Sequence, residues 1–231
     1  MAQNRSHAVM AQRHEAADSL DDFPTPPWAV RALMEYVILP KLRPGRLAVD
    51  GPWLSGREMM QAEGVAWEPA CNRGYMARPL AEYFGRVVAT DVHDYGWSGQ
   101  QRVLDFLYPG EPRPADLSWI VTNPPFRLAA QFVHRALALD PDYGVAVLVR
   151  TSFLEGGERW RTLFQPHPPS IVAQFVERVP MVKGRHDPRA STATSYCWLV
   201  WINGHGGRPA FTWIPPCRKA LERPDDAVEA L

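Results

Sequence analysis

From residue 65 onward, short apolar runs alternate with segments of helical periodicity, and no other feature of the sequence limits the fold as strongly. Strand-like runs are predicted at residues 65–67, 86–91, 103–107, 117–122, 144–150, 171–177 and 196–202. Helices are predicted between Thr25 and Pro40 and at residues 57–63, 76–84, 128–139 and 158–164. This alternation is typical of a mostly parallel sheet with helices on both faces, in which ligands bind beyond the carboxyl ends of the strands.

The length of 231 residues, 46% of them hydrophobic, is enough for one domain with a substantial core. We assign residues 23–216 to this domain, residues 1–22 to a flexible N-terminal arm and residues 217–231 to a C-terminal tail. The longest apolar run, residues 196–202, is far shorter than the roughly 18 residues that cross a membrane. The first residues lack the apolar block of a secretory signal, so we expect a cytoplasmic protein that does not enter a membrane.

Cysteine usage and charge balance exclude several classes of protein. Cys71, Cys197 and Cys217 form neither a zinc motif nor an even disulfide framework, which favours a reducing compartment and predicts no metal site. The 25 basic residues are matched by 25 acidic ones. This balance excludes a protein that binds nucleic acid by being basic throughout.

Polar side chains follow four of the predicted strands, at the point where each strand ends. Glu68, Asp91, Asp105 and Asn123 each come directly after, or close the end of, a separate strand-like run. Because the carboxyl ends of parallel strands meet at one edge of a sheet, we expect these four side chains to lie together. The sequence therefore predicts a cofactor site at this edge.

The first of these strand ends leads into the turn EPACNRG, where Gly74 lets backbone N–H groups approach a ligand at the start of a helix. Asp91 lies 23 residues beyond Glu68, near the spacing at which an acidic residue accepts hydrogen bonds from a ribose. Asp105 has the chemistry to accept a hydrogen bond from an adenine amino group. Each of these residues also has a purely structural interpretation. Gly74 is typical of an ordinary strand-to-helix turn, Asp91 can cap a helix or a turn, and Asp105 can be a solvated aspartate in a turn.

The segment Asn123, Pro124, Pro125, Phe126 is the most specific motif in the chain. Two successive prolines lock the backbone and force Asn123 out of the helical region, so its amide is presented rigidly at a strand end. The Asn123 side-chain oxygen and the Pro124 carbonyl are two acceptors for one NH₂ group, and Phe126 can stack on the ring that carries it. We interpret this motif as a site that holds a planar amine next to an activated methyl donor.

The ordered set PTPPWA, EPACNRG, Thr90 with Asp91, DFL and NPPF resembles the class I S-adenosylmethionine-dependent methyltransferases. It looks most like the bacterial and phage DNA adenine N6 methyltransferases, and its order is that of their gamma group. The resemblance covers roughly residues 23–202. It implies a Rossmann-like fold: a seven-stranded, mostly parallel sheet with helices on both faces and an antiparallel strand near the C-terminal end.

The resemblance also implies S-adenosylmethionine as cofactor and assigns roles to residues of this chain. Asn123, Pro124, Pro125 and Phe126 would hold the target amine. This sequence departs from the family at Asn72, where a glycine is usual, and asparagine tolerates a left-handed backbone better than most residues. The residues assigned to the cofactor are Thr25, Pro26, Glu68, Pro69, Ala70, Cys71, Asn72, Gly74, Asp91, Asp105 and Phe106.

A loop near the C-terminal end concentrates positive charge, and in the family the corresponding loop lies beside the flipped base. Its basic residues would meet phosphates and its small residues would leave room for an extruded nucleotide. An ordinary solvated loop is the alternative. The residues predicted to bind nucleic acid are Lys183, Arg185, His186, Arg189 and Ser191.

Only about 29 residues follow Ile202, less than the target-recognition region of a gamma enzyme. Either the recognised site is very short, or a separate specificity subunit supplies recognition, or selectivity is loose. A partner nuclease is the other candidate partner besides DNA. Two other functions stay open. One is an RNA or protein-glutamine methyltransferase, because related NPP motifs hold other planar amines; the other is a non-catalytic nucleic-acid-binding module that has lost the cofactor through Asn72.

Overall fold

The computed structural model describes residues 21–187 and 189–227. Most of the predicted N-terminal arm therefore lies outside the described residues. The described chain forms one eight-stranded sheet in the order β3-β2-β1-β4-β5-β7-β6-β8. The strands are β1 (Val65–Glu68), β2 (Arg86–Asp91), β3 (Arg102–Val103), β4 (Trp119–Thr122), β5 (Gly144–Arg150), β6 (Ile171–Phe175), β7 (Tyr196–Ile202) and β8 (Ala210–Ile214).

Helices connect the strands and cover the sheet. The first helix, α1 (Pro27–Leu33), continues as a π-helical turn (Met34–Ile38) and a 3₁₀ turn (Leu39–Lys41). The fifth helix, α5 (Gly157–Arg159), continues as a π-helical turn (Trp160–Phe164). None of the described helices combines the length and the apolarity that crossing a bilayer requires. The helices are α1 (Pro27–Leu33), α2 (Gly56–Glu63), α3 (Ala77–Leu80), α4 (Ala129–Ala138), α5 (Gly157–Arg159) and α6 (Arg218–Leu221).

The predicted fold class is confirmed. β7 runs antiparallel to both neighbours, β5 and β6, whereas every other described strand pair is parallel. β8 extends the sheet by one strand beyond the seven predicted. Its Phe211 and Trp213 point to solvent, and a strand whose large apolar residues are exposed lacks the pattern of a core strand.

The predicted strand at residues 103–107 is wrong beyond its first residue. β3 ends at Val103, and Asp105 forms its own turn instead: its side chain accepts a hydrogen bond from the Leu107 N–H at 2.9 Å and its carbonyl accepts one from the Tyr108 N–H at 3.0 Å. A side chain that satisfies the backbone locally competes with a strand ladder. The turn also directs Phe106 into the core, where its ring lies 5.2 Å from that of Trp67.

The sheet separates two layers of core, and β7 contributes to both because its side chains alternate between the faces. Trp198 and Val200 pack in the layer that contains α1, while Leu199 and Trp201 pack in the layer that contains α4. All but the last residue of β7 is buried. A strand buried on both faces explains why YCWLVWI reads as an unbroken apolar run.

The predicted helix after Thr25 is confirmed and starts with proline in its first turn. All seven residues of α1 are buried, including Arg31. The Arg31 guanidinium donates to the Asp226 carboxylate at 2.8 Å and to the Leu221 carbonyl at 2.7 Å, and it also bonds to Glu82. Residues 217–227 of the predicted C-terminal tail are thus fastened to the first helix of the domain.

Candidate active site

A cavity of about 260 Å³ lies at the carboxyl ends of β1, β2 and β4. It falls near the lower end of the size range of small-molecule sites. Glu68, Asp91, Asp105 and Asn123 all line it, so the four strand ends meet as expected from the sequence. The predicted site residues in its wall are Thr25, Glu68, Pro69, Ala70, Cys71, Asn72, Asp91, Asp105, Phe106, Asn123 and Pro125.

Other predicted site residues support this wall without forming part of it, namely Pro26, Gly74, Pro124 and Phe126. The wall also contains residues that sequence reasoning did not assign. Asp21 and Phe23 come from the segment before α1, and Tyr75 and Tyr95 come from the segments after β1 and β2. Tyrosines in loops give no distinctive sequence signal, whereas the segment before α1 could have been found because it runs directly into the PTPPWA motif.

Glu68 is fully buried at the end of β1. Its Oε1 accepts hydrogen bonds from the Thr122 hydroxyl at 2.8 Å and from the Ala70 N–H at 3.1 Å. Its Oε2 has no hydrogen-bond partner among the described residues. Burial raises the pKa of Glu68 to about 8, against the opposing effect of its two hydrogen bonds. The carboxyl thus has a buried oxygen available to a cationic or N–H group in the cavity.

This buried carboxyl predicts a pH dependence of stability. A folded-state pKa of about 8 against an ordinary 4.5 means that the folded protein binds the proton more tightly than the unfolded chain. The free energy of unfolding should therefore decrease as the pH rises between these values, by up to about 1.4 kcal/mol per pH unit. Glu68→Gln has no such proton to lose, so urea unfolding of both proteins from pH 5 to 8 should show a steeper decrease in the wild type. Parallel curves would contradict a protonated Glu68.

The turn after β1 depends on two residues with left-handed backbone. Asn72 has φ of 50° and Gly74 has φ of 79°. A Cβ on Gly74 would lie 2.4 Å from the Trp97 ring, so only glycine fits there. Asn72 adopts the conformation for which the family uses glycine, and its side-chain oxygen accepts a hydrogen bond from the Arg73 N–H at 2.6 Å. Asn72 therefore accommodates the left-handed backbone of this turn, in which the N–H groups of residues 70–74 all bond to acceptors within the protein.

Asp91 is buried at the end of β2 and bridges two segments. Its Oδ2 accepts a hydrogen bond from the Asn72 N–H at 2.9 Å, and its Oδ1 accepts one from the His93 N–H at 3.1 Å. Burial raises the pKa of Asp91, and these N–H groups oppose the increase. Each carboxylate oxygen retains a lone pair for a further donor in the cavity.

Asn123 forms the end of the cavity that lies beyond β4. The Asn123 Nδ2 donates to the Phe23 carbonyl at 3.1 Å and contacts the Met181 sulfur at 3.6 Å. Its Oδ1 is buried and has no hydrogen-bond partner among the described residues. Because Nδ2 is occupied, the orientation of the amide is fixed with its acceptor oxygen available. The arrangement can accept a hydrogen bond from one N–H of an amine held next to Phe126.

The segment of residues 21–25, here called the strap, crosses this end of the cavity. The Asp21 carboxylate accepts a hydrogen bond from the Phe126 N–H. The Asp22 carboxylate accepts hydrogen bonds from the Asn72 side-chain amide and from the Arg73 guanidinium. The Asp22 backbone carbonyl accepts one from the Gly184 N–H at 2.9 Å. The strap therefore joins the turn after β1, the NPPF motif and the basic loop.

The basic loop lies at the rim and does not enter the cavity. A turn brings Val182 and Arg185 into a β-bridge beside the strap. Lys183, Arg185, Arg189 and Ser191 are exposed, and Arg185 pairs with Asp187 at 3.3 Å. His186 instead turns inward, with its ring 5.3 Å from Tyr75, and burial lowers its pKa. The described residues contain no cluster of three or more His, Cys, Asp or Glu side chains that could hold a metal ion.

Comparisons with solved structures identify similar folds. The structure is similar to a modification subunit of a putative type I restriction enzyme from Vibrio vulnificus YJ016, with a TM-score of 0.53 and 15% identity over 86% of this chain and 48% of that one. It is less similar to the 23S rRNA methyltransferase ErmE, with a TM-score of 0.41 and 14% identity over 62% of each chain. A dimethyladenosine transferase from Plasmodium falciparum has a TM-score of 0.42 and 10% identity over 63% of this chain and 58% of that one.

This chain thus spans about half the length of the modification subunit that it resembles. No model of a known protein family matches the sequence, and no curated protein matches it. The mostly parallel sheet, in which β7 runs antiparallel to both neighbours, and the TM-score of 0.53 agree on a Rossmann-like fold. The protein has the fold of the class I S-adenosylmethionine-dependent methyltransferases.

Proposed function

We propose that this protein transfers a methyl group from S-adenosylmethionine to the N6 amine of adenine in DNA. The observation that carries the proposal is the buried Oδ1 of Asn123, which lines the cavity, lacks a partner among the described residues and belongs to the same NPPF motif as Phe126. A buried acceptor without a donor costs free energy unless a ligand supplies the donor. An amine on a flat ring supplies both the N–H group and a surface for Phe126 to stack on.

The cavity residues fit S-adenosylmethionine, whose sulfonium methyl group is already activated for transfer. The unpartnered Oε2 of Glu68 suits the cationic amino group of its methionine part. Asp91 lies at the end of β2 with lone pairs for ribose hydroxyls, and Asp105 lies on the same wall with an acceptor for the adenine amine. The left-handed turn after β1 places Ala70, Cys71 and Asn72 in the same wall, where they would pack against the cofactor.

The chemistry required of the chain is mainly positioning. Asn123 Oδ1 and the Pro124 carbonyl would each accept a hydrogen bond from the target NH₂ group, which draws the nitrogen lone pair out of conjugation with the ring and makes it available to the methyl group. The Phe23 carbonyl, by holding Asn123 Nδ2, prevents the amide from flipping. Phe126 would stack on the ring and fix the depth to which it enters.

The choice of adenine in DNA rests on the NPPF motif and on the likeness to the modification subunit of a restriction enzyme. An adenine in a duplex must be flipped out to reach a recessed amine acceptor. The exposed Lys183, Arg185 and Arg189 at the rim would contact phosphates near that base. By analogy with a modification subunit, which is one part of a larger enzyme, we propose that a separate specificity subunit supplies much of the target recognition.

Incubation of the purified protein with plasmid DNA and S-adenosylmethionine tests this function. We expect mass spectrometry of the digested DNA to show N6-methyladenine above a control without protein, and no N4-methylcytosine. The same protein should leave RNA and protein substrates unmethylated.

Calorimetric titration with S-adenosylmethionine separates the alternatives. Cofactor binding together with methylation of RNA or protein, and not of DNA, would replace the proposed substrate. No binding up to millimolar cofactor would contradict an enzyme and favour a nucleic-acid-binding module.

A further inference from the structure

The Phe126 ring, on which the target base would stack, is covered by a residue of the strap. The Phe23 ring lies 5.0 Å from it, centroid to centroid, with the planes tilted by 45°. Other neighbours of the Phe126 ring are the Arg150 guanidinium, 3.8 Å from the ring centroid, and the Tyr196 ring, 6.4 Å away between centroids. The contacts with Phe23 and Arg150 have the geometry of favourable aromatic interactions.

Phe23 also contacts the amine acceptor. Its carbonyl accepts the hydrogen bond from Asn123 Nδ2 at 3.1 Å. A target base must contact Asn123 and Phe126 at once, and Phe23 contacts both of these residues. Arg150, by contrast, stacks on Phe126. Phe126 already carries the Phe23 ring and the Arg150 guanidinium, so a flat ring that stacks on Phe126 has to displace one of them. Phe23 is the one that also contacts Asn123.

The backbone of the strap is held on both sides of Phe23 by hydrogen bonds and burial, whereas the Phe23 ring is held by packing against Phe126 and the core. Asp22 is bonded to the turn after β1 and to the basic loop, and Pro24 is buried and restricts residue 23 to extended conformations. The Phe23 side chain is only half-buried and lines the cavity. Rotation about its χ1 can remove the ring while the carbonyl continues to hold Asn123.

We propose that the Phe23 side chain is a gate of the amine pocket: it covers Phe126 in the free protein and rotates away when an adenine base enters. This inference rests on the proposed function. The gate imposes a cost on entry, since the contact between the two rings must be broken. It also keeps a pocket with an unpaired acceptor shielded until a ring of the right shape replaces Phe23.

Binding of free adenosine, with the cofactor site saturated by S-adenosylhomocysteine, tests the gate. We expect Phe23→Ala to bind adenosine about 2- to 12-fold more tightly than the wild type, because an aromatic pair contributes about 0.5–1.5 kcal/mol. Phe23→Leu should lie between the two proteins, since leucine keeps an apolar side chain on the strap without the ring. Phe211→Ala is the matched control, because Phe211 also loses an aromatic contact, with Trp213 at 4.8 Å, and does not line the cavity.

The outcomes distinguish the gate from the function on which it rests. If the wild type methylates DNA and Phe23→Ala binds adenosine no more tightly, the gate is wrong and the function stands. A tightening in Phe211→Ala equal to that in Phe23→Ala would also overturn the gate. If no protein binds adenosine or methylates DNA, the proposed function fails and the gate fails with it.

Discussion

Replacement of Asn123 by alanine is expected to reduce methyl transfer to DNA at least 100-fold while leaving the affinity for S-adenosylmethionine within about twofold of the wild type. Losses of about 10²–10³ follow the removal of one preorganised polar group that acts on the reacting centre. Asn123 Oδ1 is such a group in the proposed function, since it is buried, fixed in orientation and directed at the amine. Transfer of a labelled methyl group under single-turnover conditions measures the rate, and calorimetry measures the cofactor affinity.

Asp91→Ala provides the complementary variant. It removes a carboxylate that holds the Asn72 N–H and faces the cofactor part of the cavity. We expect the dissociation constant of S-adenosylmethionine to rise roughly 10-fold or more, since hydrogen bonds to a charged group contribute about 1.5–3 kcal/mol. Transfer at saturating cofactor should change much less. If Asn123→Ala kept most of its activity, or both variants lost only cofactor affinity, the division of the cavity into cofactor and amine parts would be wrong.

Replacement of Arg31 by alanine is expected to lower the free energy of unfolding by about 3–5 kcal/mol, the cost of breaking a buried ion pair. Burial alone would lower the pKa of Arg31, but its hydrogen bonds with Asp226 and Glu82 raise it overall, so the guanidinium stays charged. Its removal leaves the buried Asp226 carboxylate without its cation. Since whole domains are stable by only about 5–15 kcal/mol, this loss should be visible as a large shift in the urea midpoint.

Arg57→Ala is the matched control for Arg31. Arg57 also pairs with a carboxylate, Glu35, but both side chains are about one third exposed, and such pairs contribute at most about 1 kcal/mol. Replacing Arg31 and Asp226 together by apolar residues should recover part of the stability lost in Arg31→Ala. Equal effects of Arg31→Ala and Arg57→Ala would show that the buried contact with residues 221–226 does not stabilise the fold.

The fold class and the location of the cavity could be predicted because both follow from local patterns. The alternation of apolar runs fixes a parallel sheet, and the rule for its carboxyl ends then brings Glu68, Asp91 and Asn123 together without knowledge of any long-range contact. The position of Asn123 at a strand end could be predicted because the two prolines that follow it restrict its backbone to non-helical conformations. β8 was missed because its large apolar side chains are exposed, so it lacks the burial pattern of a core strand. The turn at Asp105 was missed because the Asp105 side chain bonds to the nearby backbone, which ends the strand that the apolar pattern predicts.

The strap and the Arg31 cluster could not be predicted for a different reason. Asp21 and Asp22 look like solvated charges in the sequence, and their partners Phe126 and Asn72 are 105 and 50 residues away. Nothing local distinguishes a charge that will be buried from one that will be solvated. The same holds for Arg31, which appears as one polar residue in an otherwise apolar helical segment.

The ion pair between Arg31 and Asp226 spans 195 residues and sets the order in which the fold can be completed during synthesis. At about 5–20 residues per second, roughly 10–40 s separate the appearance of these two side chains at the ribosome. Phe23 and Asn123, which are 100 residues apart, can meet much earlier. The parts of the amine pocket are thus made well before the first helix obtains its last anchor, and a nascent chain keeps that helix only partly anchored until residue 226 has been added.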